Sequence, residues 1–316
     1  MSTKETMLCL LEAAGGKFVS GSELARIAGV SRNAIWKNAA ALREAGFEIE
    51  AGEGGYRMAG DTFCAELIKH YAKNDFGITF FPEIGSTNRE AAAIASSVPL
   101  PHMVAAASQS GGRGRRGKSF FSQGGIYFSM ILSADSVKIP PMLLTTAAAC
   151  AALRAIEAEY DASPRIKWIN DIYIGEKKVC GILTEAQSDL ETGTFSHYIV
   201  GIGINTGGGE FPPEIADIAC SLDPARVRKN RLCAAAADNL LAYIEEPPEK
   251  IVCLASEKSC VIGKEIRFFG AGEEGSGTAV ALGEKGELIV KTDDGKEKIL
   301  SGGEISVRFA KNPSHL

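Results

Sequence analysis

Gly112-Arg113-Gly114-Arg115-Arg116-Gly117-Lys118 is the stretch on which the reading of this chain turns. As a string it fits G-x-G-x-x-G, the fingerprint of a dinucleotide-binding βαβ unit, but its surroundings do not. No helix opens after Gly117. Phe120-Phe121-Ser122-Gln123-Gly124-Gly125 leads instead into the apolar run Ile126–Leu132, which reads as a strand. What remains is a flexible loop with four cations in six residues, beside backbone amides that glycine leaves open. Such a loop can order around a polyanion, with arginine forks gripping phosphate or carboxylate. A plain solvated basic loop, the ordinary alternative, has no need of three interleaved glycines.

Outward from the loop stand three further polar clusters. Upstream, Gly85-Ser86-Thr87-Asn88 is a strand-to-helix junction whose hydroxyls and amide can bond a ligand, or merely cap a helix. Downstream, Lys167-Trp168-Ile169-Asn170-Asp171 ends a strand; Lys, Asn and Asp can serve phosphates, hydroxyls and a hydrated Mg²⁺, or form an ordinary turn. Lys177-Lys178 opens an apolar strand, where a lysine becomes partly buried. His70, His102, His197 and His315 are isolated, with no metal-ligand spacing, so hydrolase and metalloenzyme readings are weak and no resident metal is expected.

The chain has 316 residues, 45% hydrophobic and 23% charged, enough for two or three domains with real cores. Its net charge of −5, from 34 basic and 39 acidic residues, excludes a wholesale nucleic-acid coat, so any basic work is local. Eight scattered cysteines without a C-x-x-C pair read as reduced core residues of a cytoplasmic protein. The start of the chain does not read as a signal peptide, and no uninterrupted apolar run approaches membrane-spanning length.

The first sixty residues have their own grammar. Met7–Ala14 reads as a short helix; a second follows with Ser22 as N-cap and ends at Gly29; Ser31 caps a third, Arg32 to Ala45. Two helices joined by a short glycine-containing turn make a helix-turn-helix. Phe47–Glu50, the glycines 52–55 and Tyr56-Arg57-Met58 then form a hairpin wing. No acid occurs between Glu23 and Glu44, where Arg26, Arg32, Lys37 and Arg43 all fall. Helical spacing turns Ile35, Ala39 and Leu42 inward and Arg32, Asn33, Trp36 and Lys37 outward, as a DNA-facing helix requires. A docking module with a basic face is the plainer alternative.

The middle of the chain alternates strands and Ala-rich helices. Asn88–Ala95, Pro141–Tyr160 and 226–245 read as helices, the last ended by Pro247-Pro248. Val104–Ala107, Ile126–Leu132, Arg165–Trp168, Val179–Ala186 and Tyr198–Ile204 read as strands, with a tight turn at Gly175. The last block holds five short strands between residues 265 and 309, the pattern of a small SH3-sized barrel.

Gly85–Asn88, Gln109–Gly117, Lys167–Asp171, Lys178–Leu183 and Gly201–Asn205 stand in the order and spacing of the motifs of biotin–protein ligases. The chain resembles that family over nearly its whole length, and its head and barrel resemble the bifunctional form that also represses the biotin operon. The resemblance implies an α+β protein with three parts. These are a winged helix-turn-helix (1–62), a central mixed-sheet α/β domain of the biotin/lipoate ligase type (63–257) and an SH3-like C-terminal domain (258–316). It implies activation of biotin by ATP with Mg²⁺ to biotinyl-5′-AMP, then transfer to a lysine of a biotin carboxyl carrier protein, the acetyl-CoA carboxylase subunit. Ser86, Thr87, Asn88, Gln109, Arg113, Gly114, Arg115 and Lys178 are implied to hold biotin, with Arg115 and Lys178 stabilising the reacting anions. Lys167, Asn170, Asp171 and Asn205 fall on the nucleotide side. Ser22, Arg32, Asn33, Trp36 and Lys37 are the expected DNA-contacting set, on operator DNA of biotin genes, in a ligand-promoted homodimer without membrane association. A lipoate or octanoate ligase shares the fold, but the Gly-Arg-Gly-Arg-Arg-Gly loop argues against it. A sensing repressor without turnover, and a ligase with a vestigial head, remain alternatives. Two departures stand out: Ile169 replaces the family's proline, and Thr206-Gly-Gly-Gly-Glu-Phe-Pro-Pro follows Asn205 where another Asn is usual.

Overall fold

Four apolar clusters organise the described residues, one in the head, one on each face of the central sheet and one in the last block, and each follows from where its apolar periodicity points. The computed structural model describes residues 1–60, 62–188, 193–207, 210–223, 228–270, 273–302 and 305–309. Residues 226–227, at the start of the third expected helix, and Gly208-Gly209, after Asn205, lie outside them.

In the head, α1 (Thr3–Ala13) begins earlier than expected because Ser2 and Glu5 form a reciprocal capping box. The expected cap of the second helix needs correction. α2 (Gly21–Ala28) is capped by Ser20, whose hydroxyl accepts from the Glu23 N–H at 3.1 Å, and Ser22 sits exposed in the first turn. Three residues separate an N-cap from the amide it serves, and Ser20 satisfies that spacing to Glu23. α2 ends at Gly29, whose φ of +66° is the left-handed exit. α3 (Arg32–Glu44) is capped by Ser31, and Ile35, Ala39 and Leu42 face inward as expected. The wing is β1 (Ile49–Gly52) paired with β2 (Gly55–Met58), its first strand starting two residues later than expected. Arg43 is exposed, and its Nε donates to the Ile49 carbonyl and ties α3 to the wing.

α4 (Ala65–Tyr71), unassigned from the sequence, joins head to body. Leu67 enters the head core and Ile68 the central one. Across this junction Tyr71 and Asn230 both donate to the Glu12 carboxylate, at 2.6 and 2.8 Å.

The central sheet comprises β3 (Gly77–Ile84), β4 (His102–Gln109), β5 (Gln123–Ser133), β6 (Arg165–Lys167), β7 (Asp171–Ile174), β8 (Lys177–Ser188) and β9 (Phe195–Ile204). Their order is β3-β4-β5-β9-β8-β7-β6, with β3 parallel to β4 and every other pair antiparallel, so the sheet is mixed. β3 is the strand that the junction at Gly85 expects, with no range of its own in the sequence reading. α5 (Thr87–Ile94) covers one face through Ala91, packed on Val104, Ile131 and Ile199. The other face carries α6 (Leu144–Glu159), and after α7 (Pro213–Ala216), α8 (Lys229–Tyr243) packs on α6. With the turn before it, α6 is long and apolar enough to cross a membrane, yet most of its residues are buried in the core. Pro247-Pro248 ends the run after α8, but Pro248 also opens α9 (Pro248–Glu257), because a fixed φ suits the first helical turn. All eight cysteines are free, and Cys64, Cys150, Cys180 and Cys233 are buried; Cys253 is exposed, contrary to a uniformly core reading.

The last block is the antiparallel sheet β10 (Glu265–Gly270), β11 (Glu273–Leu282), β12 (Leu288–Thr292), β13 (Glu297–Leu300) and β14 (Ser306–Phe309), ordered β13-β12-β11-β10-β14. Its core borrows two residues from the central domain. Trp168 and Ile169 pack with Ile266, Phe268 and Val307, and Trp168 Nε1 donates to the Gly286 carbonyl at 2.9 Å. Ile169 therefore serves as a packing residue of this interface, and the Trp168–Ile169 peptide bond is cis.

Candidate active site and DNA-facing surface

A cleft of about 580 Å³ opens where β8, β9, the 112–118 loop and β14 meet, a size that suits a drug-sized ligand. Its floor is made of glycines. A Cβ at Gly181 or Gly203 would stand 2.9 or 2.7 Å from the Phe120 ring, so these strands are bare where the ring lies on them. A Cβ at Gly201 would collide with the Asn88 amide.

Ser86, Thr87 and Asn88 converge on one wall of the cleft, all nearly fully buried. Ser86 occupies the N-cap position of α5 but makes no capping bond, so the plain-cap alternative does not describe it. Gln109 stands opposite: its Oε1 accepts from the Thr87 N–H at 2.8 Å and the Thr87 hydroxyl at 3.1 Å, and its Nε2 donates to Ser122 Oγ at 3.1 Å. Asn88 Nδ2 donates to the Leu183 carbonyl and to the Glu185 carboxylate.

The loop read as flexible takes a specific folded path. Residues 115–117 form a tight turn, bracketed by Gly114 N–H to the Lys118 carbonyl at 2.7 Å, with Arg116 at φ +58° and Gly117 at φ +70°. Arg115 turns inward, donating to Asn170 Oδ1 at 3.0 Å and to the Ile305 carbonyl of the C-terminal domain at 3.1 Å. Arg116 reaches Ser306 Oγ at 3.2 Å, and Arg113 pairs with Glu185 at 3.5 Å. Burial works against the Arg115 charge, and the nearby Asp171 carboxylate supports it.

The second cationic group is Lys178, whose ammonium lies 2.7 Å from Asp171 Oδ1 and 5.5 Å from the Phe120 ring centre. Its backbone is held by Ile218 and Cys220, so the segment after α7 closes beside it. Lys177, its neighbour, points away to the Ala216 carbonyl. Lys167 lies against the Tyr173 and Phe309 rings, and burial pushes its ammonium below the ordinary lysine range. Asn170 and Asn205 are used structurally as well as lining the cleft: their side-chain amides donate to the Ile182 and Cys220 carbonyls. Thus every expected biotin-side and nucleotide-side residue lines or borders this one cleft.

Sequence reading missed several lining residues. In sequence Phe120 reads only as part of a loop, and Ile218 and Arg308 carry no motif; all three reach the cleft through tertiary packing. Ser129 was also missed: a lone hydroxyl within the buried run of β5, it stands 2.8 Å from Thr87 Oγ1 and 2.6 Å from Asn88 Oδ1. A serine among Ile126–Leu132 is the signal that could have found it.

The charge pattern suits anions. Asp171 is the one carboxylate among the described lining residues, against Arg113, Arg115, Arg116, Lys118, Lys167, Lys178 and Arg308. Among the described residues no group of three or more His, Cys, Asp or Glu could hold a metal. Asp171 is the lining carboxylate that would face a magnesium ion brought in with a nucleotide.

On the head, Ser22, Arg32, Asn33 and Trp36 line a second hollow, about 430 Å³, between α3 and the wing. Trp36 is 59% exposed, so its outward placement is real. Lys37 is exposed on the same helix, outside that hollow.

Three family models match the chain in the order of its parts: an HTH domain over residues 3–57, the biotin/lipoate A/B protein ligase family over 81–205, and the biotin protein ligase C terminal domain over 261–308. The bifunctional ligase/repressor BirA of Bacillus spizizenii is 32% identical, covering 94% of this chain and 97% of its own length. The protein of the same name from Escherichia coli is 27% identical over 94% and 95%. A solved biotin protein ligase from Aquifex aeolicus, in complex with biotin and ATP, aligns with a TM-score of 0.64 at 29% identity, covering 74% of this chain and 99% of that one. Head, ligase body and C-terminal domain thus occur together in sequence, and this chain belongs to the family of bifunctional biotin–protein ligase/repressors.

Proposed function

We propose that this protein uses ATP to convert biotin to biotinyl-5′-AMP, passes the biotinyl group to a lysine of a biotin carboxyl carrier protein, and represses biotin genes through its head. The observation that carries the reading is the single cleft in which Arg115 and Lys178 face a wall of hydroxyl and amide groups over a glycine floor. In the first step a biotin carboxylate oxygen attacks the α-phosphorus, and pyrophosphate leaves. In the second, the lysine amine attacks the acyl carbon, AMP leaves, and the amine gives up its proton. Both partners of the first step are anions, so the work is electrostatic and positional and needs no tuned general base. Arg115 and Lys178 supply the positive charge. Ser86, Thr87, Asn88, Gln109, Arg113 and Gly114 hold biotin. Lys167, Asn170, Asp171 and Asn205 serve the nucleotide, which brings Mg²⁺ to shield its phosphates.

Residues 1–62, 63–257 and 258–316 act as DNA-binding, catalytic and C-terminal units. Ser22, Arg32, Asn33, Trp36 and Lys37 meet operator DNA. One helix-turn-helix offers too few contacts for tight binding, so the adenylate promotes a homodimer that spans two half-sites. The protein works in the cytoplasm. Transfer of labelled biotin to an acceptor domain, with and without ATP, tests the ligase: label must appear on the acceptor only with ATP. Sedimentation with and without biotin and ATP tests the dimer, and an unchanged oligomer would remove that part.

A further inference from the structure

The head meets the body along α4, a helix shared between two cores. Leu67 fills the head core and Ile68 the central one, so neither domain can release α4 without uncovering an apolar side chain. Both ends of α4 are strapped to α8. At the first, Asn230 is wholly buried; its Oδ1 accepts from the Cys64 N–H at 3.0 Å, and its Nδ2 donates to the Thr62 carbonyl. At the second, the Asp238 carboxylate accepts from the Lys73 and Asn74 N–H groups at 2.8 and 2.9 Å. Asn230 and Asp238 stand about 12 Å apart along α8, a span that matches the length of α4.

α4 is therefore part of the frame of the body, and Glu12 is where the head is fixed on it. This carboxylate, in the last turn of α1, accepts from the Tyr71 hydroxyl at 2.6 Å and from Asn230 Nδ2 at 2.8 Å. The roles are forced. The Cys64 N–H only donates, so Asn230 turns its oxygen there and leaves its two N–H bonds for Thr62 and Glu12. The apolar contacts of Leu67 attach the head but are non-directional, whereas a carboxylate held at both oxygens also fixes an angle. α1 packs on α3 within the head core, so the angle of α1 is also the angle of α3.

We propose that Glu12 is a positioning residue: by latching α1 to Tyr71 and Asn230 it sets the direction in which the head presents α3, and so selects one separation of operator half-sites. This rests on the repressor reading above, in which two copies bind two half-sites. With both heads latched, the dimer cannot follow a change of spacing, because each added base pair turns one half-site by about 35° around the duplex. With the latch open, each head swings on α4 and finds its half-site over a range of separations.

With biotin and ATP present, wild type, Glu12→Ala and Glu12→Gln would be titrated onto duplexes taken from upstream of a biotin gene, alongside thermal melts. The series holds the natural pair of half-sites, the same pair moved by one to three base pairs in either direction, and one half-site alone. Wild type should lose about tenfold in affinity when the spacing changes by one base pair. Glu12→Ala should bind the single half-site as wild type does, while its affinities across the spacing series lie within about threefold of one another. Glu12→Gln should keep the wild-type profile, since its oxygen can serve Asn230 and the Tyr71 hydroxyl can accept from its amide. A head that is merely destabilised would bind the half-site less well and every spacing alike. That outcome, or an unchanged spacing profile in Glu12→Ala, overturns the proposal. If Glu12→Ala fails to fold, Tyr71→Phe, which removes the hydroxyl and leaves both cores filled, decides on the same series. Wild type that binds every spacing alike refutes the latch, whereas wild type that binds none of the duplexes refutes the repressor reading.

Discussion

Replacing Arg115 by alanine separates the structural from the chemical use of the central loop. In the folded chain the guanidinium bridges Asn170 of the body and the Ile305 carbonyl of the C-terminal domain. Hydrogen bonds from a charged donor contribute about 1.5–3 kcal/mol each. Arg115 is only partly buried, and water replaces some of what is lost. A net loss of about 1–2 kcal/mol follows, a melting shift of a few degrees in a domain of this size. The effect on the adenylate is larger, because a desolvated anion loses a preorganised donor worth about 2–4 kcal/mol, a factor of about 30 to 700 in retention. The assay forms the adenylate from labelled biotin and ATP, removes free ligand, and follows its loss without acceptor. Arg115→Lys should recover only part, since one ammonium cannot span both carbonyl oxygens as a planar fork does. A wild-type adenylate half-life in a well-folded Arg115→Ala protein would refute the assignment.

Four further expectations follow from particular contacts. Lys178→Ala should slow single-turnover adenylation more than it weakens biotin binding, because charge on the reacting phosphate grows in the transition state; a collapsed binding constant with an untouched rate would contradict this. Trp168→Ala removes a buried indole and its bond to Gly286, so it should cost about 3–5 kcal/mol and loosen the C-terminal domain, seen as early proteolysis there. Arg32→Ala or Lys37→Ala should weaken operator binding and lower its salt slope by about one, with ligation unchanged in the same preparation. Burial lowers the His102 pKa below its ordinary 6.5, so the folded protein keeps this ring neutral while the unfolded chain takes up a proton. Stability from this group is complete above pH 6.5 and falls as pH drops below it. The urea midpoint of wild type should decline more steeply than that of His102→Asn between pH 6.5 and 5.5.

The order of parts and most of the elements are legible in the sequence, because they depend on neighbours in the chain. The 3.6-residue spacing of Ile35, Ala39 and Leu42, the glycine exit at Gly29 and the turn at Gly175 are local signals, and the structure repeats them. The chemical character of the site is legible there as well, since four cations among glycines in six residues have few other uses. One local signal misleads: Ser22 reads as the cap but lies inside the first turn of α2, and only the backbone path shows that the preceding Ser20 reaches the Glu23 amide. The tertiary structure decided everything that depends on distance across the chain. Arg115 meets Ile305, 190 residues away, Trp168 fills the core of another domain, and Ser129 supports Thr87 from the next strand but one of the sheet. No periodicity encodes such contacts, because they arise only when a mixed sheet brings β3, β4 and β5 side by side and the C-terminal sheet closes over the loop.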